Sequence, residues 1–106
     1  MNKTIVSTDR APAAIGPYSQ GVRVGADAPA QAAQVCRNIR ALLASQGLAP
    51  ENIVKTTVFL TDLSAFAAVN AVYAELFESE PPARSCVEVS ALPKGALVEI
   101  ECIAAV

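Results

Sequence analysis

Apolar residues recur along the chain at two different periods, and the changes of period mark out the elements. Lys3 to Ser7 and Gln20 to Val24 are short runs rich in Ile, Val and Thr, which predict strands. The stretch between them carries two Pro and a Gly, from Thr8 to Ser19, and predicts a loop. From Pro29 to about Gln46 the pattern turns helical. Val35, Ile39, Leu42 and Leu43 fall at i, i+4, i+7 and i+8, one stripe facing a core. Gly47 suits the residue after the helix, and Pro50 prevents continuation.

Ile53 to Leu60 is dense in β-branched residues and predicts the strongest strand. A second helix follows, with Asp62 or Ser64 as its N-cap and Phe66, Val69, Tyr73 and Phe77 along one side. Glu80-Pro81-Pro82 ends it. Two more strands, about Ser85 to Val89 and Ala96 to Ala104, are joined by Leu92-Pro93-Lys94-Gly95. The order ββαβαββ predicts an α+β fold, a mixed sheet with two helices packed on one face, in a single domain.

Alternation along the last strand sets Val98, Ile100 and Cys102 on one face and Leu97, Glu99, Glu101 and Ile103 on the other. The preceding strand reads the same way. Val87 and Val89 point one way, and Arg84, Cys86 and Glu88 point the other, toward the face of the two carboxylates. Two readings of that mixed face stay open: a subunit interface lining a polar pocket, or a solvated face with a few exposed aliphatics.

Composition narrows the chemistry. In 106 residues, 53% are hydrophobic but only 5% aromatic, with no Trp, so each buried side chain hides little area. A domain this small gains from subunit association. The formal charge is −2 without a basic patch, which argues against nucleic-acid binding. No apolar stretch is long enough for a bilayer and the N-terminus has no signal-type apolar core, so a cytoplasmic protein is expected. Cys36, Cys86 and Cys102 are odd in number and scattered, which suits reduced, packed thiols. There is no His, and no metal-ligand, dinucleotide or phosphate-loop motif. Catalysis, if present, rests on carboxylates, Arg, Tyr, hydroxyls, backbone groups and water.

Ordered blocks then carry a specific resemblance. Ala11-Pro12-Ala13-Ala14-Ile15-Gly16-Pro17-Tyr18-Ser19-Gln20, Val54-Lys55-Thr56-Thr57-Val58-Phe59-Leu60, Phe66-Ala67-Ala68-Val69-Asn70 and Pro82-Ala83-Arg84-Ser85-Cys86-Val87-Glu88-Val89 span most of the chain. Together with Leu92-Pro93-Lys94 and Val98-Glu99-Ile100-Glu101 they resemble the RidA (YjgF) family. That resemblance implies a chorismate-mutase-like fold, a homotrimer and ligand clefts between subunits. It implies hydrolysis of small 2-imino or enamine acids, such as 2-iminobutanoate, to 2-oxo acids and ammonia without a cofactor. Carried over by position, Arg84 holds the substrate carboxylate and Glu99 orients the attacking water. Backbone groups around Cys86 assist, Tyr18 lines the pocket mouth, and Asn70 supports the cleft.

These residue types fit the reaction. A guanidinium fork matches a carboxylate bidentately, and imine hydrolysis asks mainly for orientation and proton management. Blander roles stand beside these: Arg84 and Glu99 as an interface ion pair, Cys86 as a packed thiol, Tyr18 as cover for a core edge. The rival class is a non-catalytic ligand-binding or protein-protecting module on the same fold.

One family block is absent. Gly21-Val22-Arg23-Val24-Gly25 runs directly into Ala26-Asp27-Ala28-Pro29, where the family carries a third strand with a Ser-Gly-Gln-Ile-Pro signature. Either the stretch exists in the molecule and these 106 residues omit it, or the deletion is real and leaves an exposed strand edge. The intact flanking blocks favour the first. A Cα separation at Gly25–Ala26 well beyond the ~3.8 Å of a trans peptide is the distinguishing geometry.

Overall fold

A computed structural model describes residues 27–106. The stretches expected as the two N-terminal strands, Tyr18 and the Gly25–Ala26 junction lie outside the described residues.

Helix α1 runs Ala28–Ser45, beginning well before the apolar stripe because Asp27 caps it. The Asp27 carboxylate accepts from the Ala30 N–H at 3.0 Å, satisfying a donor that the first helical turn leaves orphaned. Val35, Ile39 and Leu43 are buried along the predicted stripe, and Leu42 sits half-buried at its margin. The far end closes as expected. Gly47 takes a φ of 71°, Leu48 N–H reaches the Leu43 carbonyl at 2.9 Å, and Gly47 N–H reaches that of Ala44 at 3.0 Å. This is a Schellman cap, which needs a residue free of Cβ strain at the left-handed position.

Strand β1 is Ile53–Leu60, as the β-branched run predicts. Asp62 accepts from Ser64 N–H at 2.9 Å and starts a single 3₁₀ turn that leads into α2, Phe66–Ala74. The helix is shorter than the pattern suggests, with Leu76 and Phe77 continuing its apolar side in a turn after the last helical residue. Strand β2 (Ala83–Glu88) and strand β3 (Val98–Ala104) complete the described fold. Lys94 and Gly95 adopt φ values of 58° and 68° in the turn between them, which reverses the chain within a few residues.

The described sheet is mixed, with order β2-β1-β3. The β1–β2 pair is parallel, with Thr56 opposite Arg84, Val58 opposite Cys86 and Leu60 opposite Glu88. The β1–β3 pair is antiparallel, with Thr56 opposite Cys102, Val58 opposite Ile100 and Leu60 opposite Val98. Parallel β1 and β2 demand a crossover, and α2 supplies it. Both helices cover one face. Leu60, Val58, Val98, Val69, Tyr73 and Ala32 form one buried cluster there; Val35, Ile39, Leu43, Ile53 and Leu76 form a second.

Cys36 belongs to the second cluster, and burial pushes its thiol up to about 11 from an ordinary 9.0, with the Arg40 charge opposing part of the shift. A thiol that resists ionisation when folded holds its proton at pH values where the unfolded chain has released it. Stability is therefore full below about pH 9 and falls as pH rises toward 11, by up to roughly 2–3 kcal/mol from this group. Urea unfolding at pH 8, 9.5 and 11 checks this: the alkaline slope should flatten in Cys36→Ala relative to the parent chain.

Candidate functional site

The registers decide which side chains can meet. Arg84, Cys86 and Glu88 share the face of Thr56, Val58 and Leu60, the face that the helices cover. Glu99 and Glu101 pair with Phe59 and Thr57 and so project from the opposite, open face. The expectation that Arg84 and Glu99 look into one hollow from adjoining strands is corrected within a single chain. The reason is geometric: β1 lies between β2 and β3, so the two terminal strands are not neighbours. Their relative phase is set by two registers that alternation along either strand does not contain. Val87 is exposed on that open face, while Cys86, expected on the face of the two carboxylates, packs against the core.

Arg84 stands at an exposed rim where the end of β2 meets α2. Its NH1 donates to Asn70 Oδ1, and its Cζ lies 5.3 Å from the Phe66 ring centre and 5.1 Å from that of Tyr73. Phe66, Asn70 and Tyr73 fall at i, i+4 and i+7, so α2 presents all three on one stripe. The guanidinium is held by one polar contact and two aromatic rings, an arrangement favoured by the ring quadrupole. With NH1 engaged by Asn70, other N–H groups of the fork remain for a carboxylate from solvent. Asn70 thus contacts Arg84 directly. The sequence pattern marks Phe66 and Tyr73 as core positions only; their spacing around Asn70 is the signal that they also serve the cation.

Cys86 follows on the same face, half-buried, and burial raises its thiol above the ordinary 9.0, with Arg84 partly opposing. A protonated thiol is a poor nucleophile, so the packed role fits its side chain. Its backbone is better placed. Among the described residues β2 is an edge strand, so alternate N–H and C=O groups along it turn away from β1. Glu88 braces the fold instead, because its Oε1 accepts from Leu63 N–H at 2.8 Å and anchors the turn before α2.

The open face mixes charge and apolar surface. Glu99 is half-buried, Glu101 is exposed, and neither forms an ion pair among the described residues. Lys55 Nζ donates instead to the Thr56 carbonyl at 2.6 Å and to the Thr57 and Ser85 hydroxyls, each at 3.3 Å. Ile103 and Val87 are 63% and 41% exposed beside them, a surface that would lose water on meeting a partner. Among the described residues no group of three His, Cys, Asp or Glu side chains gathers as a metal site, and no helix is long and apolar enough to cross a membrane.

Fold and site together define a small α+β protein with a ring-backed arginine at the edge of a mixed sheet. The profile of the family described as Endoribonuclease L-PSP matches residues 24–106. A 2-iminobutanoate/2-iminopropanoate deaminase of Escherichia coli K12 is 47% identical over 126 residues, covering 98% of each chain. Protein DfrA of Myxococcus xanthus is 44% identical over 126 residues, covering 98% of this chain and 96% of its own. The crystal structure of RidA from an Antarctic Psychrobacter superposes with a TM-score of 0.88 at 40% identity, covering 98% of this chain and all of that one. This chain belongs to the RidA family.

Proposed function

We propose that the protein hydrolyses small 2-imino acids to 2-oxo acids and ammonia, at sites completed by two copies of the chain. The observation that carries this reading is the exposed Arg84 guanidinium, steadied by Asn70 and two rings. It is suited to a small carboxylate arriving from solvent. The 47% identical relative that bears the deaminase name supports the same reaction class.

Arg84 binds the substrate carboxylate through the part of its fork that Asn70 does not use. Glu99 orients a water toward the imine carbon and accepts its proton as the C–O bond forms. The resulting carbinolamine collapses to the 2-oxo acid, and nitrogen leaves as ammonia after taking up the proton. One water is consumed, and neither metal nor organic cofactor takes part. Backbone groups of β2 around Cys86 steady the ligand, and Tyr18 is assigned by the family resemblance to line the pocket mouth.

Arg84 and Glu99 of one chain project from opposite faces of the sheet, so they meet only if the open face of one copy approaches the Arg84 rim of the next. The exposed Ile103 and Val87 favour such an approach, and we take the head-to-tail contact to close into a homotrimeric ring. The cytoplasm is the proposed location. Alignments spanning 126 residues on a chain of 106 mean that these relatives carry residues with no counterpart here, and we place the difference after Gly25, where the family's third strand is expected.

The direct test couples an amino-acid dehydratase, which releases 2-iminobutanoate, to trapping of the surviving imine. Added protein should shorten the lifetime of the imine in proportion to its concentration. Decay at the spontaneous rate would remove the enzymatic reading and leave the ligand-binding module.

A further inference from the structure

We infer that Tyr73, locked by a buried hydrogen bond to Thr56, is a positioning residue for Arg84 and sets how tightly the substrate carboxylate is gripped. The inference deepens the imine-hydrolase reading and rests on it. Tyr73 is 4% exposed and Thr56 is 1% exposed, and their hydroxyls lie 2.7 Å apart inside the core. One donates and the other accepts, so each satisfies a group that burial would otherwise strand. Thr56 is also the register partner of Arg84 on the neighbouring strand. The tip of the Tyr73 ring is thereby tied to the strand position beside the arginine that its face supports, 5.1 Å from Cζ. Phe77 packs against Tyr73 at 5.2 Å with a 60° tilt and limits its movement further.

A hydrophobic core alone has no need of these hydroxyls. Phe and Val would fill nearly the same space without polar groups to satisfy. What the pair adds is direction: a ring pinned at its tip keeps its plane and height under the cation. Arginine has many rotamers, and freedom surrendered before binding is not lost again when the carboxylate arrives. The pair therefore acts on affinity for the carboxylate and leaves the water-attack step to Glu99.

Four variants test this: Tyr73→Phe, Tyr73→Leu, Thr56→Val and Thr56→Ser. Each is measured below its own unfolding transition for kcat, KM and inhibition by 2-oxobutanoate, whose carboxylate makes the same demand on Arg84. Thr56→Val and Tyr73→Phe should raise KM and the inhibition constant in parallel, by about fivefold, with kcat within about twofold of the parent. Tyr73→Leu, lacking the ring, should raise both by more than about tenfold. Thr56→Ser, which keeps the hydroxyl, should restore parental values. A purely structural pair would lower the melting temperature and leave KM and inhibition unmoved, and that result overturns the inference. If Thr56→Val fails to fold, Tyr73→Phe decides alone. Titration calorimetry with 2-oxobutanoate separates the two levels. A parent chain that binds it through Arg84 without turning over imine sinks the hydrolase reading, while the Kd of Tyr73→Phe still judges the positioning role.

Discussion

Arg84→Ala and Glu99→Gln, each nearly inactive alone, should recover about a quarter of the parental imine turnover when unfolded together at equal amounts and refolded as a mixture. The expectation follows from the registers. Arg84 shares the helix-covered face with Thr56 and Cys102, whereas Glu99 shares the open face with Phe59. Under the proposed mechanism a complete site takes its guanidinium from one copy and its carboxylate from the next. In a randomly mixed closed ring, about one junction in four pairs an intact Arg84 with an intact Glu99. Each variant alone should fall to about 1% of the parent or less, because one loses a charge-assisted carboxylate contact and the other the group that directs water. Recovery absent from a mixture that has reassembled, shown by native mass spectrometry of mixed rings, would place both groups' action within one chain. A double variant carrying both changes on one copy, mixed with the parent, is the control. It should not recover activity beyond the share of parental junctions.

The second large effect concerns stability. Leu60 is fully buried where β1 passes beneath the helices, in the cluster with Val58, Val69, Tyr73 and Val98. Leu60→Ala removes the buried side chain and leaves a void lined by residues from several elements, which relaxes poorly. The expected loss is about 3 kcal/mol, against a total of about 5–15 kcal/mol for a domain. Chemical denaturation should show the midpoint displaced with an unchanged slope. Val54→Ala is the contrast. Val54 sits at the irregularity between Ile53 and Lys55 in the β1–β3 register and is 52% exposed, so its truncation should cost less than about 0.5 kcal/mol.

Much of the fold is legible in local pattern. The β-branched run at Ile53 to Leu60 forms β1 over those same residues, and Gly47 forms the left-handed cap of α1. Each depends on neighbours in sequence, where residue preference and structure act on the same few atoms. Boundaries differ where tertiary contact intervenes. Residues past Ala74 keep the apolar side of α2 in a turn, because Leu76 is buried in the second core cluster whatever its backbone conformation. The candidate site is legible only in that Arg84 and Asn70 touch. It is not legible in its facing. The carboxylate stands apart from both because which side of a sheet a residue occupies depends on how strands pair across many intervening residues.

Local pattern was enough to establish the periods, the caps, the absence of histidine chemistry and the blocks that place the chain in its family. Three features came from tertiary pairing alone: β1 separates the two terminal strands, the Tyr73 hydroxyl meets that of Thr56 while its ring lies beside Arg84, and guanidinium and carboxylate face away from one another. Periodicity repeats every two residues and is blind to phase between strands. Phase is fixed by long-range pairing, and with it the face of the sheet on which each of these side chains stands.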